Sequence, residues 1–553
     1  MSGGAGEKAA PRVAPLVLER ILARARAAGE AAVAFAEDRP IAGTALAEAV
    51  EGFAAALIAR GVAPGDRAVI ALGNGEEFLV GFLGAQRASA VPVPLAPESG
   101  AARLAAFARR CGARLVVVGE REHEATSAAL AAAEGSKGAA PGGGERAGAP
   151  PAHGPALAAV SVAERAPAGS LPRIASSDLG LIQYTSGSTG EPKGVAITHG
   201  QLLLNVAQLV AGFAIRPDDV FVTWLPMHHD MGLVLMTLAP LLVGARLHVH
   251  PTGLASIRGW AAALARHGAT FTAAPDFAYR LALRLRRAAE PAPDLAALRV
   301  ALDAAEPVRA ATVRDFTSTF GLRPGAMIPG YGLAEATVGV TAPPPGSPLA
   351  VDARGAVGLG RGFPGVALRI AGEGGASLAP GEIGEVWVRS PALAAGYFAD
   401  AAATADTFGA DGWLRTGDLG YLDAAGALFV VGRRKDLLSW GGSTIAPREV
   451  EELVDALPSV RRSCAVGIEP AGRTQGELPF LFVEVGGERE ASPAERARRV
   501  VAAVREHLGA GPARVVLLRP GSIPLTANGK LRRAELAARW RDGALAREGR
   551  VLD

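Results

Sequence analysis

Hydrophobic and polar residues follow two alternating periods along the N-terminal part of the chain. Residues 45–61 repeat apolar side chains at helical spacing, and residues 64–66 (Pro-Gly-Asp) then turn the chain into a β-rich run. Residues 76–90 show the pattern of a second amphipathic helix, and residues 113–119 that of a buried strand. This alternation predicts a layered α/β fold.

A change in composition interrupts this pattern. Residues 135–172 are rich in Gly, Ala and Pro and have little periodicity, which predicts a mobile surface excursion. Ordered structure is expected to resume at Leu179, and strands and helices then alternate again to about Val430.

The C-terminal part of the chain has its own set of predicted elements. Residues 447–457 and 493–508 have helical periodicity, and strand patterns occur near positions 462 and 479. Strands and helices in this part do not continue the long alternation that precedes it. A separate α+β unit is therefore expected here.

The length of the chain supports this division. A chain of 553 residues is too long for one hydrophobic core, so at least two domains are expected. We predict a boundary between Arg433 and Asp436, with a large layered α/β domain over residues 1–432 and a small α+β domain over residues 433–553.

Charge and cysteine content narrow the possible classes of function. The 57 basic and 54 acidic residues give a net charge of +3 and form no long runs, so neither a nucleic acid nor a membrane surface is an expected partner. The sequence shows no secretory leader and no apolar run of about 20 residues, which predicts a cytoplasmic protein without stable membrane insertion. Cys111 and Cys464 lack the spacing of a disulfide framework or a thiolate zinc site.

The strongest local signal follows the apolar run at residues 179–183. The segment YTSGSTGEPKG combines glycines, which let backbone N–H groups converge on an anion, with hydroxyl donors and a lysine. Its lysine precedes the last glycine, so the Walker order is absent. The residues predicted to bind phosphate are Thr185, Ser186, Gly187, Ser188, Thr189, Gly190 and Lys193.

This loop resembles the signature loop of the acyl-adenylate-forming (ANL) superfamily, and further segments that resemble the family follow in family order. WLPMHHDMGL at 224–233 is similar to the fatty acyl-AMP ligase branch, except that His228 stands where an aromatic residue is common. YGLAEAT at 331–337 also favours that branch. The other segments are APDFAY at 274–279, LDAAEP at 302–307, GWLRTGDL at 412–419, GRRKD at 432–436 and LTANGK at 525–530.

The resemblance implies an enzyme that uses ATP and Mg²⁺ to turn a carboxylate into an acyl-AMP. Like charges must be brought together in that reaction, so cations are needed where charge develops. By resemblance, Glu335 holds Mg²⁺ and Lys530 reaches from the small domain to the carboxylate and the α-phosphate. Rotation about Lys435 would later withdraw Lys530, so the small domain is expected to be mobile.

The resemblance also implies a nucleotide pocket. Asp418 offers two acceptor oxygens to the ribose hydroxyls, Arg433 can donate to the sugar or a phosphate, and Tyr331 can stack on adenine. The other residues expected around the nucleotide are Asp303, Ala304, Ala305, Glu306, Gly332, Leu333 and Ala334.

Histidines near position 229 raise the question of a metal site. His228, His229 and Asp230 are consecutive, and in an extended segment neighbouring side chains face opposite ways, so a shared ion is rejected. By resemblance, His229 instead gates or lines the carboxylate entrance. The residues expected to contact the acyl substrate are His229, Asp230, Met231, Phe277 and Gly330.

His248 and His250 form a second pair of nearby histidines. They share one face of a predicted strand, and a position at the rim of the fold is favoured over metal ligation.

The acyl acceptor stays open between two thiols. The resemblance to the fatty acyl-AMP ligase branch implies a medium- or long-chain fatty acid and the phosphopantetheine thiol of a separate carrier protein. However, residues 338–358 are short and lack the extra segment usual in that branch, and residues 441–447 resemble a loop of thioester-forming relatives. Coenzyme A (CoA) is therefore an alternative acceptor.

Two further alternatives concern the chemistry itself. Asp230 could bind a substrate ammonium group, as in relatives that activate amino acids. The fold could also belong to a catalytically silent nucleotide-binding protein, although Glu335, Asp418 and Lys530 are all present.

Overall fold

The computed structural model describes residues 16–135, 158–167, 169–185, 192–286, 291–440, 443–469, 477–486, 492–525 and 531–552. The α-helices in these ranges are α1 (Val17–Ala28), α2 (Gly43–Ala59), α3 (Glu76–Arg87), α4 (Ala101–Arg110), α5 (Glu120–Gly135), α6 (His199–Gly212), α7 (Ala239–Val243), α8 (Leu254–Arg266), α9 (Asp276–Leu285), α10 (Ala310–Thr319), α11 (Ala401–Thr407), α12 (Pro447–Asp455), α13 (Pro493–Leu508), α14 (Arg533–Arg541) and α15 (Ala544–Arg547). Short 3-10 helices cover Pro97–Ser99, Ala334–Ala336, Glu373–Gly375 and Arg434–Asp436, and a π-helix covers Met231–Leu238.

The strands of the N-terminal half are β1 (Ala32–Ala36), β2 (Arg39–Ala42), β3 (Arg67–Ile70), β4 (Val91–Pro94), β5 (Ala113–Val118), β6 (Ala158–Ser161), β7 (Leu179–Thr185), β8 (Lys193–Thr198), β9 (Val220–Thr223), β10 (Arg246–Val249), β11 (Phe271–Ala274) and β12 (Val300–Asp303). Those that follow are β13 (Met327–Pro329), β14 (Tyr331–Gly332), β15 (Gly339–Ala342), β16 (Arg361–Gly362), β17 (Ala367–Ala371), β18 (Gly384–Arg389), β19 (Gly396–Tyr397), β20 (Leu414–Leu422), β21 (Leu428–Arg433), β22 (Leu438–Trp440), β23 (Ser443–Ile445), β24 (Val460–Ile468), β25 (Leu478–Val485) and β26 (Arg514–Leu518).

The central sheet has seven strands in the order β13-β12-β11-β9-β10-β1-β2. Its strands run parallel except for the β1–β2 hairpin. Strands β11 and β12 are buried along their whole length, as expected for parallel strands that are covered on both faces. The carboxyl ends of β9, β11, β12 and β13 therefore meet at one edge of the sheet, where open α/β sheets place their ligand sites.

A second parallel sheet has the order β4-β3-β5-β6. It corrects the prediction that residues 135–172 form one mobile excursion, because β6 lies inside that range and pairs with β5. Ala159 and Val160 of this strand are buried, so a strand of four residues was enough to complete the sheet. Residues 136–157 and 168 lie outside the described residues, and the prediction of mobility there stays a prediction.

Three smaller antiparallel sheets complete the large part of the molecule. Strands β7 and β8 form a hairpin to which β19 adds a third strand, β14-β15-β16 form a second sheet, and β17-β18-β20-β21 form a third. The last of these places β20 beside β21, so that Asp418 lies opposite Arg433.

The C-terminal part has its own sheet and core. Strands β24-β25-β26 pack against α12 and α13 through buried aliphatic residues that include Val450, Val454, Leu481 and Val504. The helices and strands predicted for this part are present, and so are those predicted at residues 45–61, 76–90 and 113–119. Among the described residues, no helix combines the length and apolar character needed to cross a membrane.

Candidate active site

A cleft of about 2000 Å³ lies at the carboxyl edge of the central sheet and extends to the C-terminal part. Residues far apart in sequence meet on its walls, which come from the β7–β8 hairpin, the segments after β9 and β12, the β20–β21 pair and the helix Arg434–Asp436. The predicted site residues that line it are Thr185, Lys193, His229, Asp230, Met231, Phe277, Ala304, Ala305, Glu306, Gly330, Tyr331, Gly332, Leu333, Ala334, Glu335, Asp418, Arg433 and Lys435.

Two predicted loops lie outside the described residues, but the residues that flank them are placed. Thr185 and Lys193 pair across the β7–β8 hairpin, and the predicted phosphate-binding residues Ser186, Gly187, Ser188, Thr189 and Gly190 stand between them in the sequence. Leu525 and Leu531 form an antiparallel pair, and Lys530 belongs to the segment between them. Leu531 lines the cleft.

Asp418 is the centre of a polar group on one wall. Its side chain is buried, its Oδ2 accepts a 2.6 Å hydrogen bond from the Tyr331 hydroxyl, and its Oδ1 lies 2.9 Å from Nε of Arg433. Burial and the Asp418 charge raise the pKa of Tyr331 well above its usual value, so the phenol keeps its proton. The wall thus presents an anchored carboxylate that is suited to accept hydrogen bonds from a diol.

Glu335 lies on the 3-10 helix Ala334–Ala336 on the same wall. Its Oε1 accepts a 2.7 Å hydrogen bond from the Tyr397 hydroxyl, and Nζ of Lys193 lies 4.7 Å from the centroid of the Tyr397 ring. Tyr397 therefore contacts both Glu335 and Lys193. Sequence reasoning missed it, because only the long-range pairing of β19 with β8 brings it here.

The segment after β12 forms part of the cleft wall through Ala304, Ala305 and Glu306. Ala305 has φ 71°, a left-handed conformation that turns the chain sharply beneath the cleft. A carboxylate oxygen of Glu306 accepts a hydrogen bond from the backbone N–H of Phe277 at the start of α9. The orientation of α9, which carries Phe277, is thus tied to this segment.

Asp303 departs from the predicted contact with the cofactor. It ends β12, is fully buried and does not belong to the described lining of the cleft. Within the described part of the chain neither carboxylate oxygen has a hydrogen-bond partner. Burial, reinforced by the charges of Asp276 and Glu306, raises its pKa well above the usual value, which keeps the group neutral. Its side chain lies under the cleft floor, and only its neighbours reach the surface.

The segment before the π-helix corrects the prediction of an extended chain at residues 228–230. The chain turns at Met227 and His228, and the rings of His228 and His229 lie side by side with centroids 4.6 Å apart. The premise that neighbouring side chains face opposite ways here, which was used to exclude an ion shared by His228, His229 and Asp230, was therefore wrong. Burial, and then the charge of His229, lowers the pKa of His228 to about 3, so this ring stays neutral.

Asn74 holds the turn in place. Its side-chain amide donates to the carbonyl oxygen of Leu225 at 2.8 Å, and its Oδ1 accepts from the N–H of Met227 at 2.8 Å. The turn then leads into the buried π-helix, which begins at Asp230 with a 2.7 Å hydrogen bond from the Met231 N–H to Oδ1. His229, Asp230 and Met231 consequently reach the cleft from a fixed backbone.

The C-terminal part contacts the large part beside the cleft. Nη2 of Arg309 lies 2.9 Å from Oδ2 of Asp455, and Nη2 of Arg448 donates to the carbonyl oxygen of Val308 at 2.6 Å. Lys435 lies between the two parts, and burial lowers its pKa. These contacts place α12 over the segment that follows Glu306.

Comparison with known proteins shows which family the chain belongs to. The family model described as "AMP-binding enzyme" matches residues 22–398, which is more than half of the chain. The chain belongs to the AMP-binding enzyme family. The AMP-binding match includes the β7–β8 hairpin, the turn at His229 and the walls that carry Glu335 and Tyr397.

Relatives of known name resemble this AMP-binding enzyme over most of its length. The long-chain-fatty-acid–AMP ligase FadD23 of Mycobacterium tuberculosis is 32% identical over 544 residues, covering 89% of each chain. The long-chain-fatty-acid–AMP ligase FadD26 of Mycobacterium marinum is 33% identical over 545 residues, covering 88% of each chain. A solved structure from a study of fatty acyl-adenylate ligases from E. coli and L. pneumophila has a TM-score of 0.83 and 27% identity, covering 96% of this chain and 99% of that one.

These findings confirm the resemblance, the fold class and the class of enzyme. This AMP-binding enzyme is an acyl-adenylate-forming ligase with a large α/β part and a small C-terminal part. The prediction of ATP as a substrate is confirmed at the level of the family, whereas the individual roles of the site residues stay predictions.

Proposed function

We propose that this enzyme activates a medium- or long-chain fatty acid with ATP and passes the acyl group to the phosphopantetheine thiol of a separate carrier protein. The observation that carries this proposal is the similarity to two long-chain-fatty-acid–AMP ligases over nearly nine tenths of the chain. A carboxylate oxygen of the fatty acid attacks the α-phosphorus and pyrophosphate leaves. The thiol, losing its proton, then attacks the acyl carbonyl and AMP leaves. The proposed location is the cytoplasm, where ATP is available.

The nucleotide is proposed to bind along the wall that carries Asp418. The ribose hydroxyls would donate to the Asp418 carboxylate, which Arg433 and Tyr331 already orient. The backbone of Ala304 and Ala305 and the ring of Tyr331 would enclose the adenine, because these groups line the cleft beside Asp418. Phosphates would then extend toward Lys193 and the hairpin loop at residues 186–190.

Glu335 is the residue proposed to hold Mg²⁺. Magnesium that is bound together with a polyphosphate needs only one or two protein carboxylates and keeps several waters, so the single carboxylate here fits. Tyr397 orients that carboxylate through Oε1, and Lys193 lies close to the same ring. The bound ion would neutralise phosphate charge, and Glu335 would fix its position.

Lys530 is proposed to bring the two anionic reactants together. Opposite charges about 4 Å apart interact by roughly 1 kcal/mol in water but by about 4 kcal/mol at an effective dielectric constant of about 20. One lysine in a closed cleft is therefore consequential. The position of Leu531 on the cleft wall supports this role for its neighbour.

The acyl chain is proposed to lie against apolar residues of the same cleft. Leu209, Phe213, Met231, Leu235 and Phe363 line it, and none of them carries a charge. A hydrocarbon chain gains roughly 0.8 kcal/mol for each CH₂ group that it buries against such a surface. His229 and Asp230 at the entrance would bind the carboxylate end and control its access.

CoA is the second candidate acceptor, and one observation favours it. The described connection between β15 and β16, residues 343–360, contains no helix and no strand longer than a single pair, which leaves no additional element to restrain the small part. Without such an element, the small part could rotate and present residues 441–447 to a CoA thiol.

Mass spectrometry of products separates the two acceptors. The purified enzyme is incubated with ATP, Mg²⁺ and a panel of fatty acids, first alone, then with CoA, and then with a phosphopantetheinylated carrier protein. Acyl-AMP that persists with CoA but is consumed by the carrier supports the proposal. Acyl-CoA as the main product would show that CoA, not a carrier protein, is the acyl acceptor. The absence of acyl-AMP in every arm would contradict the proposal that the substrate is a fatty acid.

A further inference from the structure

A group of possible metal ligands lies apart from the cleft. Asp38 is in the turn between β1 and β2, His248 is in β10, and His267 follows the last residue of α8. One ligand atom from each of the three lies within 4.8 Å of the others. None of the three belongs to the described lining of the cleft.

Strand pairing and ring stacking bring these residues together. β1 runs parallel to β10 with Phe35 opposite His248, and the Phe35 ring stacks on His248 at 4.6 Å. The other face of His248 stacks on His267 at 3.9 Å. Nε2 of His267 lies 3.1 Å from Oδ1 of Asp38, whose φ of 66° turns the hairpin toward the rings. Three separate elements thus converge on one point.

One imidazole nitrogen of this group, on His248, and one on nearby His250 lack partners among the described residues. His248 is only 7% exposed, and in the described part of the chain its Nδ1 has no hydrogen-bond partner. Nε2 of His250, the first residue after the same strand, is also buried and has none within that part of the chain. A buried polar atom without a partner is destabilising, so Nδ1 of His248 is available to a ligand.

The electrostatic environment already attracts a cation. The residues lie at the C-terminal end of α8, where the helix dipole favours positive charge. Nη2 of Arg266 lies 3.1 Å from Oδ2 of Asp38, so a positive group is bound here. The side chain of Arg266 is 58% exposed and can swing into solvent when another cation takes its place.

We propose that Asp38, His248 and His267 bind a divalent transition-metal ion of the Zn²⁺ class. Two imidazoles and a carboxylate are a ligand set that suits Zn²⁺. Ligands of a tetrahedral zinc ion lie about 3.3 Å apart, so the three atoms need to approach by about 1.5 Å at most. The rings of His248 and His267 are stacked, so metal binding also requires one ring to rotate until both nitrogen lone pairs point at the ion. The ion would join the β1–β2 turn, β10 and the end of α8, and it would stabilise the edge of the central sheet.

Zinc binding to the full-length, untagged enzyme tests this site. Affinity is measured by competition with a chromogenic chelator, without nucleotide and with excess Mg²⁺ to suppress binding in the cleft. We expect one Zn²⁺ per chain and a loss of affinity of roughly 100-fold in the double variant His248→Ala/His267→Ala. His507→Gln, which changes an exposed histidine of α13, should bind like the wild type. Arg266→Gln should bind more tightly, because it removes the competing cation.

A second measurement separates binding from folding defects. Thermal unfolding is followed with and without Zn²⁺, and the shift in Tm is compared within each variant. Zn²⁺ should raise the Tm of the wild type and of His507→Gln but not that of Asp38→Asn or His267→Gln. Equal zinc affinity in the wild type and the double variant, or equal Tm shifts in all four proteins, would overturn the assignment.

Discussion

Asp418 uses both carboxylate oxygens inside the protein, one for Tyr331 and one for Arg433. Both partners are donors, so the carboxylate is held in place before any nucleotide arrives. Pre-ordered acceptors lose little freedom on binding, which is why this residue should matter more for nucleotide affinity than an exposed aspartate would.

Replacing Asp418 with Asn is expected to raise the KM for ATP by about 10- to 100-fold, because hydrogen bonds to a charged group are worth about 1.5–3 kcal/mol. Tyr331→Phe removes one donor and keeps the carboxylate, so it should cost less than Asp418→Asn. Steady-state kinetics at saturating fatty acid measures both. Equal KM values for the wild type and Asp418→Asn would exclude this residue from the nucleotide site.

His199 provides a test of pH dependence. Burial is the main cause that lowers its pKa from 6.5 to about 4. Between these two values the unfolded chain binds a proton that the folded protein excludes, so the contribution of His199 is present above pH 6.5 and is lost as the pH falls toward 4. The full effect is about 3 kcal/mol at pH 4. Denaturation at a series of pH values should show a steeper decline for the wild type than for His199→Gln, and parallel declines would argue against a buried neutral ring.

Individual residues were predictable from the sequence only where a motif contained them. Asp418, Glu335 and Lys193 line the cleft as the resemblance implied. Tyr397 was missed because its role depends on the pairing of β19 with β8, and Asp303 was misplaced because the direction of the last side chain of β12 is set by the sheet. Both depend on contacts that a local pattern does not contain.

The π-helix at Met231–Leu238 depends on one close approach. Gly232 has no side chain, and a Cβ atom at that position would overlap the carbonyl oxygen of Pro226. Gly259 in α8 is different, because a Cβ atom there meets nothing within 4 Å. Replacing glycine with alanine at both positions therefore distinguishes the effect of a close contact at Gly232 from the effect of helix propensity at Gly259.

Gly232→Ala is expected to lower the free energy of unfolding by about 1–3 kcal/mol and to raise the KM for the fatty acid, because the turn carrying His229 must shift. Gly259→Ala should raise the free energy of unfolding by up to about 1 kcal/mol, since alanine favours the helix. Chemical denaturation measures both. A Gly232→Ala variant as stable and active as the wild type would refute the close contact.

At the scale of elements, helices and strands could be predicted from the sequence where the periodicity of apolar residues is strong, but not where it is weak. The helices α2, α3, α12 and α13 match their predicted positions because their apolar residues recur at helical spacing. Strand β6 was missed because four residues in a Gly- and Pro-rich region give too short a signal. The turn at His228 was read as extended because its hydrogen bonds come from distant Asn74.

Polar pairs join the two parts of the molecule. Asp455 binds Arg309 across the contact at 2.9 Å, and the Ser463 hydroxyl donates to its Oδ1 at 2.8 Å within the small part. We infer that this pair stabilises the orientation in which the small part closes the cleft.

A double-mutant cycle tests that inference. Arg309→Ala and Asp455→Ala should each slow acyl-AMP formation several-fold. The double variant should be no slower than the worse single variant, because each change removes the same Arg309–Asp455 ion pair. Ser463→Ala, which leaves the ion pair intact, is the control. Strictly additive losses would show that the pair is not coupled.

At the scale of the whole molecule, the order of the motifs was the decisive signal. Each segment alone was weak, but their sequence along the chain predicted the family that the comparison then showed. The Asp38, His248 and His267 group could not be predicted, since a hairpin turn, a strand and a helix end have to meet to form it. Contacts between residues that are distant in sequence cannot be predicted from a local pattern, whereas the order of motifs can be read directly.

The central claim is that this enzyme forms acyl-AMP with Lys530 as the group that joins the two reactants. The most direct measurement is pyrophosphate release, coupled to detection of acyl-AMP, for the wild type, Lys530→Ala and the control Lys137→Ala, together with ATP binding by calorimetry. The account predicts that the wild type and Lys137→Ala form acyl-AMP, while Lys530→Ala binds ATP but loses adenylation by about 100-fold or more. Unchanged adenylation in Lys530→Ala would contradict the assignment of this lysine, and a wild-type enzyme that binds ATP without forming any acyl-AMP would contradict the activity itself.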